Sequence, residues 1–267
     1  MKPPGHRIHT HPGTLPRTRR QVFNLGGRLV AGWLLVSAFT DDGRAAEPEA
    51  VDWRNLFARK PEGGSGVVKE VAGAAYANQR RLTVGARVAS GEQLRVAKGG
   101  HLVVSVQDRT LFKLSGEAVL DFQPGTRNTG ILALTIGSIQ AIFPQGNRYL
   151  VQGPAAVIGV KGTVVYRQVF QEDELTAQAA DMKTVPRPPD RPDYFCTCTG
   201  TVDYLLTGDL SAFHTMTARH HGAAFLDPNH PRQTLKAPQL NHFDPEIARL
   251  IDLQDPPRHD KSWMERG

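Results

Sequence analysis

Short apolar runs separated by glycines and polar pairs fill residues 67–170, and this pattern limits what the stretch can fold into. Turn signals recur about every 8–12 residues, for example at Gly99-Gly100 and Pro124-Gly125. Apolar side chains alternate within runs: Leu102, Val104 and Val106 would face one side of a strand. The 26 glycines and 19 prolines of the 267-residue chain fit a fold rich in turns. The pattern therefore predicts a mainly β sandwich or roll rather than βαβ units.

The predicted strands fall into two groups separated by a proline-rich connection at residues 180–193. Proline cannot donate to a strand ladder, so this connection should lie at the surface. After His221 the chain becomes polar and proline-punctuated, and it predicts one short helix, with Asp244 as N-cap, Pro245 at its first position and an end near Leu253. The predicted strands are 67–74, 94–97, 102–107, 110–114, 118–122, 132–136, 138–143, 148–152, 163–169, 194–198 and 201–206.

The first 46 residues are typical of an export signal. A basic stretch precedes the apolar run from Leu29 to Phe39, whose roughly 11 residues are too few for a helix that spans a bilayer. Ala45 and Ala46 then offer a cleavage site, and residues 18–23 resemble the twin-arginine export motif. We expect a periplasmic protein cleaved near Ala46 and without a stable membrane span. An uncleaved amphipathic anchor is the alternative, and it places the protein on the same side of the membrane.

The distribution of charge argues against a nucleic-acid partner, although the formal net charge is +6. Residues 1–46 carry seven Lys or Arg and two Asp or Glu, whereas the remaining residues carry 25 and 24. Binding to phosphates requires a basic excess on the folded part of a protein. No such excess is present in the body of this chain.

Several sequence segments, in order, resemble the FecR domain of bacterial periplasmic proteins. They are residues 71–75, 82–85, 88–94, 99–110 and 155–163, and they lie in the stretch 67–170 of about 105 residues. Lys161 stands where the family commonly has an arginine before Gly-Thr, which weakens any bidentate contact with a carboxylate. Gly162 and Thr163 form the turn before the last strand of this domain, where glycine supplies a positive φ or a close backbone approach.

The resemblance implies a binding, scaffolding or sensing module without catalysis, whose partner is a periplasmic or envelope protein or a cell-envelope polymer. Signalling proteins similar to this domain carry a cytoplasmic anti-sigma segment and a membrane span, and the 28 residues before the apolar run are too few for one. The predicted organisation is therefore a free-standing, exported form. Its parts are an export signal at 1–46, a short linker segment at 47–66, the FecR-like domain at 67–170, a β extension at 171–222 and a polar tail with a short helix at 223–267.

Two cysteines and a histidine pair suggest a second kind of function. Cys196 and Cys198 are two residues apart in a predicted strand, so their sulfurs point to the same face. With His220 and His221 they would supply two thiolates and two imidazoles, a ligand set that suits zinc or copper. Some secreted FecR-domain proteins look similar, with a Cys-x-Cys-x-Gly strand followed by a histidine pair. A Cys196–Cys198 disulfide, or buried cysteines with polar loop histidines, are the alternatives that the sequence leaves open.

No strong catalytic motif is present in the sequence. It lacks a Gly-x-Ser-x-Gly elbow, a phosphate-binding loop and a His-Glu-x-x-His helix. A cysteine with a histidine base would need an orienting acid, and nothing in the sequence places one beside them. The sequence therefore favours a non-enzymatic protein, in which the alternative to the binding module is a metal-binding or thiol-redox centre.

Overall fold

The computed structural model describes residues 63–107, 109–125, 128–171, 193–207, 209–226, 234–254 and 261–264, with the backbone alone at 209–212. The predicted mainly β fold is confirmed: strands make up 63% and helices 6% of the structure. The strands are β1 (Ser65–Ala72), β2 (Ala75–Ala77), β3 (Arg80–Arg81), β4 (Arg87–Ala89), β5 (Gln93–Val96), β6 (His101–Val106), β7 (Leu111–Pro124), β8 (Thr129–Ile142), β9 (Arg148–Gln152), β10 (Ala156–Val160), β11 (Val164–Val169), β12 (Asp193–Leu206), β13 (Asp209–Ala218), β14 (Gly222–Leu226) and β15 (Thr234–Ala237). In the part of the chain that is described, one helix, α1 (Asp244–Asp252), follows them.

Three pairs of predicted strands are single long strands in the structure, namely β7, β8 and β12. A glycine lies near the middle of each, where the sequence pattern predicted a break. Gly137 in β8 has a φ of 84°, and a Cβ there would lie 2.6 Å from the Cα of Ala118 in β7. Only glycine accepts both this backbone conformation and this close approach, so the strand bends without ending.

The long strands change partners along their length, which closes the sheet over itself. The first part of β7 pairs with β6 and its later part with β5, while β8 pairs with β7 throughout most of its length. The early part of β8 also pairs, in parallel, with β9, and its later part pairs with β11. In β12 the first half lies between β11 and β14, and the second half between β10 and β13.

Six neighbouring strands, β6, β7, β8, β11, β12 and β14, are buried on both faces. Alternate residues belong to two separate apolar clusters, as in β12, where Phe195 lies in one and Tyr194 in the other. We call the larger one, enclosed by the curved sheet, the inner cluster; it includes Phe112, Leu114, Phe122 and Phe195. The outer cluster lies on the opposite face of the six strands. It is covered by the helix and the chain around it, and it consists of Val103, Leu111, Ile142, Val164, Tyr166, Phe170, Tyr194, Cys196, Cys198, Ala223, Phe225, Ala237, Ile247, Leu250, Ile251 and Trp263.

A fully buried ion pair ties the last part of the sheet to the strands before it. Arg167 of β11 donates through Nε to Oδ1 of Asp193 at 2.8 Å, and its Nη2 also contacts the same carboxylate. The guanidinium also donates to the carbonyl oxygens of Val151 and Ala156 at 2.7 and 2.8 Å. All these groups are buried, so loss of either charged partner would leave the other charge uncompensated.

The turn before β11 has the geometry that a glycine allows. Gly162 has a φ of 73°, and a Cβ there would lie 2.7 Å from the Cα of Gln145. Thr163 is buried, and its carbonyl oxygen accepts a hydrogen bond from the backbone N–H of Phe143 at 2.9 Å. Lys161 pairs with Asp203, with Nζ 3.0 Å from Oδ2.

The region after residue 222 differs from the predicted polar tail. It begins with two further strands, β14 and β15, and residues 223–226 are buried. The predicted N-cap of the helix is wrong: Phe243 occupies that position, Asp244 is the first helical residue, and no side chain caps the helix. Asp244 does not cap because its carboxylate is bonded to two histidines instead.

The export signal at 1–46, the following residues to 62 and residues 180–192 of the proline-rich connection lie outside the described residues. The last residue of that connection, Asp193, is buried at the start of β12 rather than at the surface. Among the residues that are described, the helix is neither long nor apolar enough to cross a bilayer.

Candidate metal centre

Both cysteines lie in the first half of β12 and point to the outer face of the sheet. Cys196 and Cys198 are fully buried in the outer cluster, and both are free thiols. Their side chains share a face because successive residues of a strand alternate. Tyr194, two residues earlier, lies on the same face and packs beside them. The local strand geometry alone therefore brings the two sulfurs together.

His221 reaches the sulfurs from the turn between β13 and β14. It has a φ of 43°, and its backbone N–H donates to the carbonyl oxygen of Cys198 at 3.0 Å. Its Nδ1 lies 3.5 Å from Sγ of Cys196. The left-handed backbone conformation, which is unusual for a non-glycine residue, turns the ring toward the cysteines.

His242 approaches from the loop before the helix and is fully buried. Its Nδ1 lies 2.5 Å from the carbonyl oxygen of Leu240, and since a carbonyl can only accept, Nδ1 carries the proton. Its Nε2 is buried and makes no hydrogen bond. The ring stacks on Tyr166, with centroids 4.2 Å apart and planes 11° apart. A buried imidazole nitrogen with a free lone pair is costly unless something binds it.

Hydrogen bonds to Tyr194 hold this loop against the sheet. The hydroxyl of Tyr194 donates to the carbonyl oxygen of Pro238 and accepts from the backbone N–H of Leu240, both at 3.0 Å. The side chain of Gln239 donates to the carbonyl oxygen of His242 at 2.7 Å. These bonds fix His242 in position beside a strand that lies about 45 residues earlier in the chain.

One ligand atom from each of Cys196, Cys198, His221 and His242 lies within 4.8 Å of the other three. In a tetrahedral zinc site, bonds of about 2.3 Å to sulfur and about 2.0–2.1 Å to nitrogen give a sulfur–nitrogen edge of about 3.5 Å. The observed distance between Cys196 and His221 equals that edge. The other distances are at most 4.8 Å, which exceeds the edges of such a site by no more than about 1.5 Å.

Asp244 lies directly behind His221 and fixes its tautomer. Its Oδ1 accepts from Nε2 of His221 at 2.7 Å, which leaves Nδ1 facing Cys196. Its Oδ2 accepts from Nε2 of His220 at 3.0 Å. Metal-binding histidines commonly donate their other N–H to a carboxylate or a backbone carbonyl. Both patterns occur here, with Asp244 behind His221 and the Leu240 carbonyl behind His242.

The two thiols have opposite electrostatic environments. A hydrogen bond from Cys198, helped by His221 and opposed by burial, lowers the pKa of Cys196 to about 4. Burial, together with its bond to Cys196, raises the pKa of Cys198 well above its usual range. Burial alone would lower the pKa of His221, but its bonds to Cys196 and Asp244 outweigh that effect and raise it. One thiolate is therefore already favoured, and a bound cation would displace the second thiol proton.

Cys196, His221 and Asp244 also have the order of a nucleophile, a base and an orienting acid, which the sequence did not reveal. A catalytic cysteine must be reached by its substrate, and such cysteines are partly exposed. Cys196 is 0% exposed, with the outer cluster around it. The arrangement therefore suits a buried ion better than acyl transfer.

The structure brings three of the four sequence-predicted ligands together and places the fourth elsewhere. His220 bonds to Asp244 and packs against Trp263, and its ligand atom groups with those of His221 and Asp244 rather than with the two sulfurs. His242 takes its place, and sequence reasoning missed this residue because it lies 21 positions beyond His221. Its one sequence signal is its position immediately before the helix start, close to Asp244.

Comparison with known proteins gives no family. No protein-family model matches the chain, and no curated protein matches it. Solved structures that match include two crystal structures, at 1.65 and 2.50 Å resolution, of a candidate anti-sigma factor from Parabacteroides distasonis ATCC 8503. Each has 16% sequence identity and a TM-score of 0.41, and each match covers 55% of this chain and 59% of the solved chain. The chain thus spans less than two thirds of the length of that protein.

Proposed function

We propose that this chain is a zinc-binding protein in which Cys196, Cys198, His221 and His242 hold one structural ion. The observation that carries the proposal is the convergence of these four buried ligand atoms within 4.8 Å. The free Nε2 of His242 supports it, since a metal is the partner that this buried lone pair lacks. The partners behind His221 and His242 are those typical of metal-bound histidines.

The donor set favours zinc. Two thiolates and two imidazoles in a tetrahedral arrangement are typical of structural zinc, and catalytic zinc keeps one position open for water. Here four protein ligands fill the tetrahedron inside an apolar cluster. The ion would hold the loop before α1 against β12, since His242 is the one ligand that comes from beyond the sheet.

The wider role that we propose is an exported, non-catalytic module of the FecR type that binds or scaffolds a periplasmic or envelope partner. Its support is the resemblance of residues 67–170 to that domain, the export-type N-terminus and the mainly β body. An ion that binds the folded chain in preference to the unfolded chain would add to the stability of this module. Sensing through a membrane partner is a form of the same role.

The metal proposal is tested by elemental analysis of zinc and copper in the purified full chain and in single variants. We expect about one zinc per wild-type chain and little zinc in Cys196→Ser, Cys198→Ser and His242→Ala, because each removes a ligand. His220→Ala tests which histidine is the fourth ligand, because the sequence pattern proposed His220 and the structure favours His242. We expect that variant to retain its zinc.

His214→Ala is the matched control, because His214 stacks on Tyr204, with ring centroids 5.0 Å apart, and is not among the four ligands. Equal and negligible metal in the wild type and the Cys196→Ser variant would overturn the proposal. Loss of zinc in His220→Ala with retention in His242→Ala would replace His242 by His220 as the fourth ligand. Copper in place of zinc would change the assigned metal.

Export is tested separately by fractionation and N-terminal sequencing of the chain expressed in a bacterium. We expect a periplasmic protein that begins near Glu47. Replacement of Arg19 and Arg20 by lysine should retain the precursor in the cytoplasm if the twin-arginine route is used. A cytoplasmic chain that keeps residues 1–46 would contradict export.

A further inference from the structure

The outer face of strands β7, β8 and β11 carries a patch of polar residues beside an apolar row. Strand register aligns them in rows across the three strands. The apolar row is Leu111, Ile142 and Val164; the next is Lys113, Gln140 and Tyr166; and the third is Ser115, Ser138 and Gln168. Buried polar side chains reduce stability unless they are hydrogen-bonded. The hydrogen-bond partners of this patch therefore show which of its groups are left for a ligand.

The covering segment leaves a cavity over this patch. Its volume is about 140 Å³, and it is partly open to solvent. Asn241 and Glu246, from the loop and the helix, form the wall opposite the strands. The residues that line it are Lys113, Ser115, Ser138, Gln140, Tyr166, Asn241 and Glu246.

Most neutral groups at the cavity are bonded to protein, and one buried donor is not. The Tyr166 hydroxyl and the Asn241 amide both donate to Oε1 of Gln168 at 2.9 Å, which holds these two side chains in place. Ser138 donates to the carbonyl oxygen of Ser115 at 3.3 Å. Gln140 is 3% exposed, and its Nε2 has no hydrogen-bond partner. Gln140 lines the cavity, so a small rotation of its side chain would present this unpartnered amide N–H to a ligand.

The cavity carries one charge of each sign. Nζ of Lys113 lies 3.6 Å from Oε1 of Glu246, a separation too long for a normal hydrogen bond. The side chains are 22% and 43% exposed, so solvent reaches both. A ligand with a carboxylate and an ammonium group could separate this loose pair and satisfy each member.

We propose that this cavity binds a small zwitterionic amino acid, of the size of glycine, alanine or serine. The carboxylate would accept from Lys113 and from Nε2 of Gln140, and the ammonium group would donate to Glu246. A cavity of about 150 Å³ holds a molecule of six heavy atoms such as benzene, so a ligand of five to seven heavy atoms fits. This site uses none of the four metal ligands, so it can be tested independently of the zinc proposal.

The test is isothermal titration of the purified full chain with glycine, L-alanine and L-serine, beside acetate, methylammonium and glycerol as single-group probes. We expect saturable binding of at least one amino acid, with a dissociation constant in the micromolar to millimolar range expected of so small a ligand. Its affinity should exceed that for acetate and methylammonium by about tenfold or more, since each of these satisfies one charge only.

Three variants locate the site. Lys113→Met and Glu246→Gln should each weaken binding by about tenfold or more. Gln140→Leu should also weaken it, while leaving the melting temperature equal or higher, because the variant removes an unpaired buried amide. A merely structural role for Gln140 would instead lower the melting temperature. Lys161→Met is the matched control, because Lys161 also pairs with a carboxylate but does not line the cavity.

Several outcomes would overturn the proposal. They are the absence of saturable binding of all three amino acids up to about ten millimolar, equal affinity for acetate, and unchanged binding in Lys113→Met. Zinc content measured on the same samples separates the two proposals: normal zinc without amino-acid binding would refute this site and leave the metal centre standing.

Discussion

The inner and outer clusters occupy opposite faces of the same six strands but are held together in different ways. The inner cluster consists of apolar side chains from strands throughout the sheet, and it includes four phenylalanines: Phe112, Phe122, Phe143 and Phe195. The outer cluster is closed by a segment that follows the sheet in the chain, and it contains Cys196 and Cys198, two of the four proposed ligands. The inner face is mainly apolar, with the buried Arg167–Asp193 pair on the same side of β11 and β12. The outer face borders the polar contacts of Asp244 and the metal centre that we propose. The difference suggests that the two faces can lose stability separately.

The largest expected effect is that of metal removal, which should open the outer cluster first. With free zinc about 1,000-fold above its dissociation constant, binding contributes about 4 kcal/mol to the free energy of unfolding. Treatment with a strong chelator should therefore lower the melting temperature. In hydrogen exchange, the amides of Leu240 and α1 should lose protection while those of Val104 and Phe112 keep it. Uniform loss on both faces would show that the clusters are not separable.

Truncation of an inner phenylalanine should be nearly as damaging and independent of the metal. Phe112→Ala should lower the free energy of unfolding by about 3–5 kcal/mol, since Phe112 is fully buried. Urea unfolding with and without chelator measures this loss of free energy. The zinc content of the variant should equal that of the wild type.

The matched outer-face variant is Phe225→Ala. Phe225 packs edge-on against Tyr194, whose hydroxyl holds the loop that carries His242. This variant should lower zinc affinity as well as stability. If Phe112→Ala weakened zinc binding equally, the proposed division between the faces would fail.

A smaller effect is expected from Asp244→Asn, which keeps the shape but removes the charge behind His221. Zinc affinity should fall by about 10- to 100-fold, as is usual when a carboxylate behind a ligand histidine is replaced. Competition with a chromophoric chelator measures the change. Asp252→Asn, at the other end of the same helix and 62% exposed in its side chain, should leave affinity unchanged. Equal affinity in the two variants would remove Asp244 from the site.

The smallest effect should come from Arg249→Ala, which breaks the ion pair between α1 and Glu70. Nη2 of Arg249 lies 2.9 Å from Oε1 of Glu70, but its side chain is 70% exposed. Exposed pairs contribute at most about 1 kcal/mol and are screened by salt. Urea unfolding at low and high salt should show a small difference that salt removes. A larger loss would mean that surface charge, rather than the metal, holds the helix.

The sequence pattern predicted the inner face better than the outer one. The alternation of Leu102, Val104 and Val106 marks the side chains that enter the inner cluster. Their neighbours on the opposite face, such as Val103, gave no such signal because strands buried on both sides read as continuous apolar runs. Glycine signals also overcounted the strands, since Gly137 bends β8 without ending it.

The candidate site was predictable only where its geometry is local. Cys196 and Cys198 share a face by strand periodicity alone, and that follows from their spacing. The choice between His220 and His242 does not follow, because it depends on the turn at His221 and on a loop held by Tyr194. The sequence pattern favoured His220 because it adjoins His221, whereas the structure places the distant His242 beside the two cysteines.

By itself the sequence determined a mainly β protein, because a repeat of two and frequent turns leave few other ways to bury apolar side chains. Its N-terminal pattern led to the prediction of export, and its cysteine spacing led to the prediction of paired sulfurs. The tertiary structure alone decided that the C-terminal segment covers the outer face and that His242 joins the cysteines. The physical reason is that contacts across long stretches of chain depend on the packing of the whole sheet, which no local pattern records.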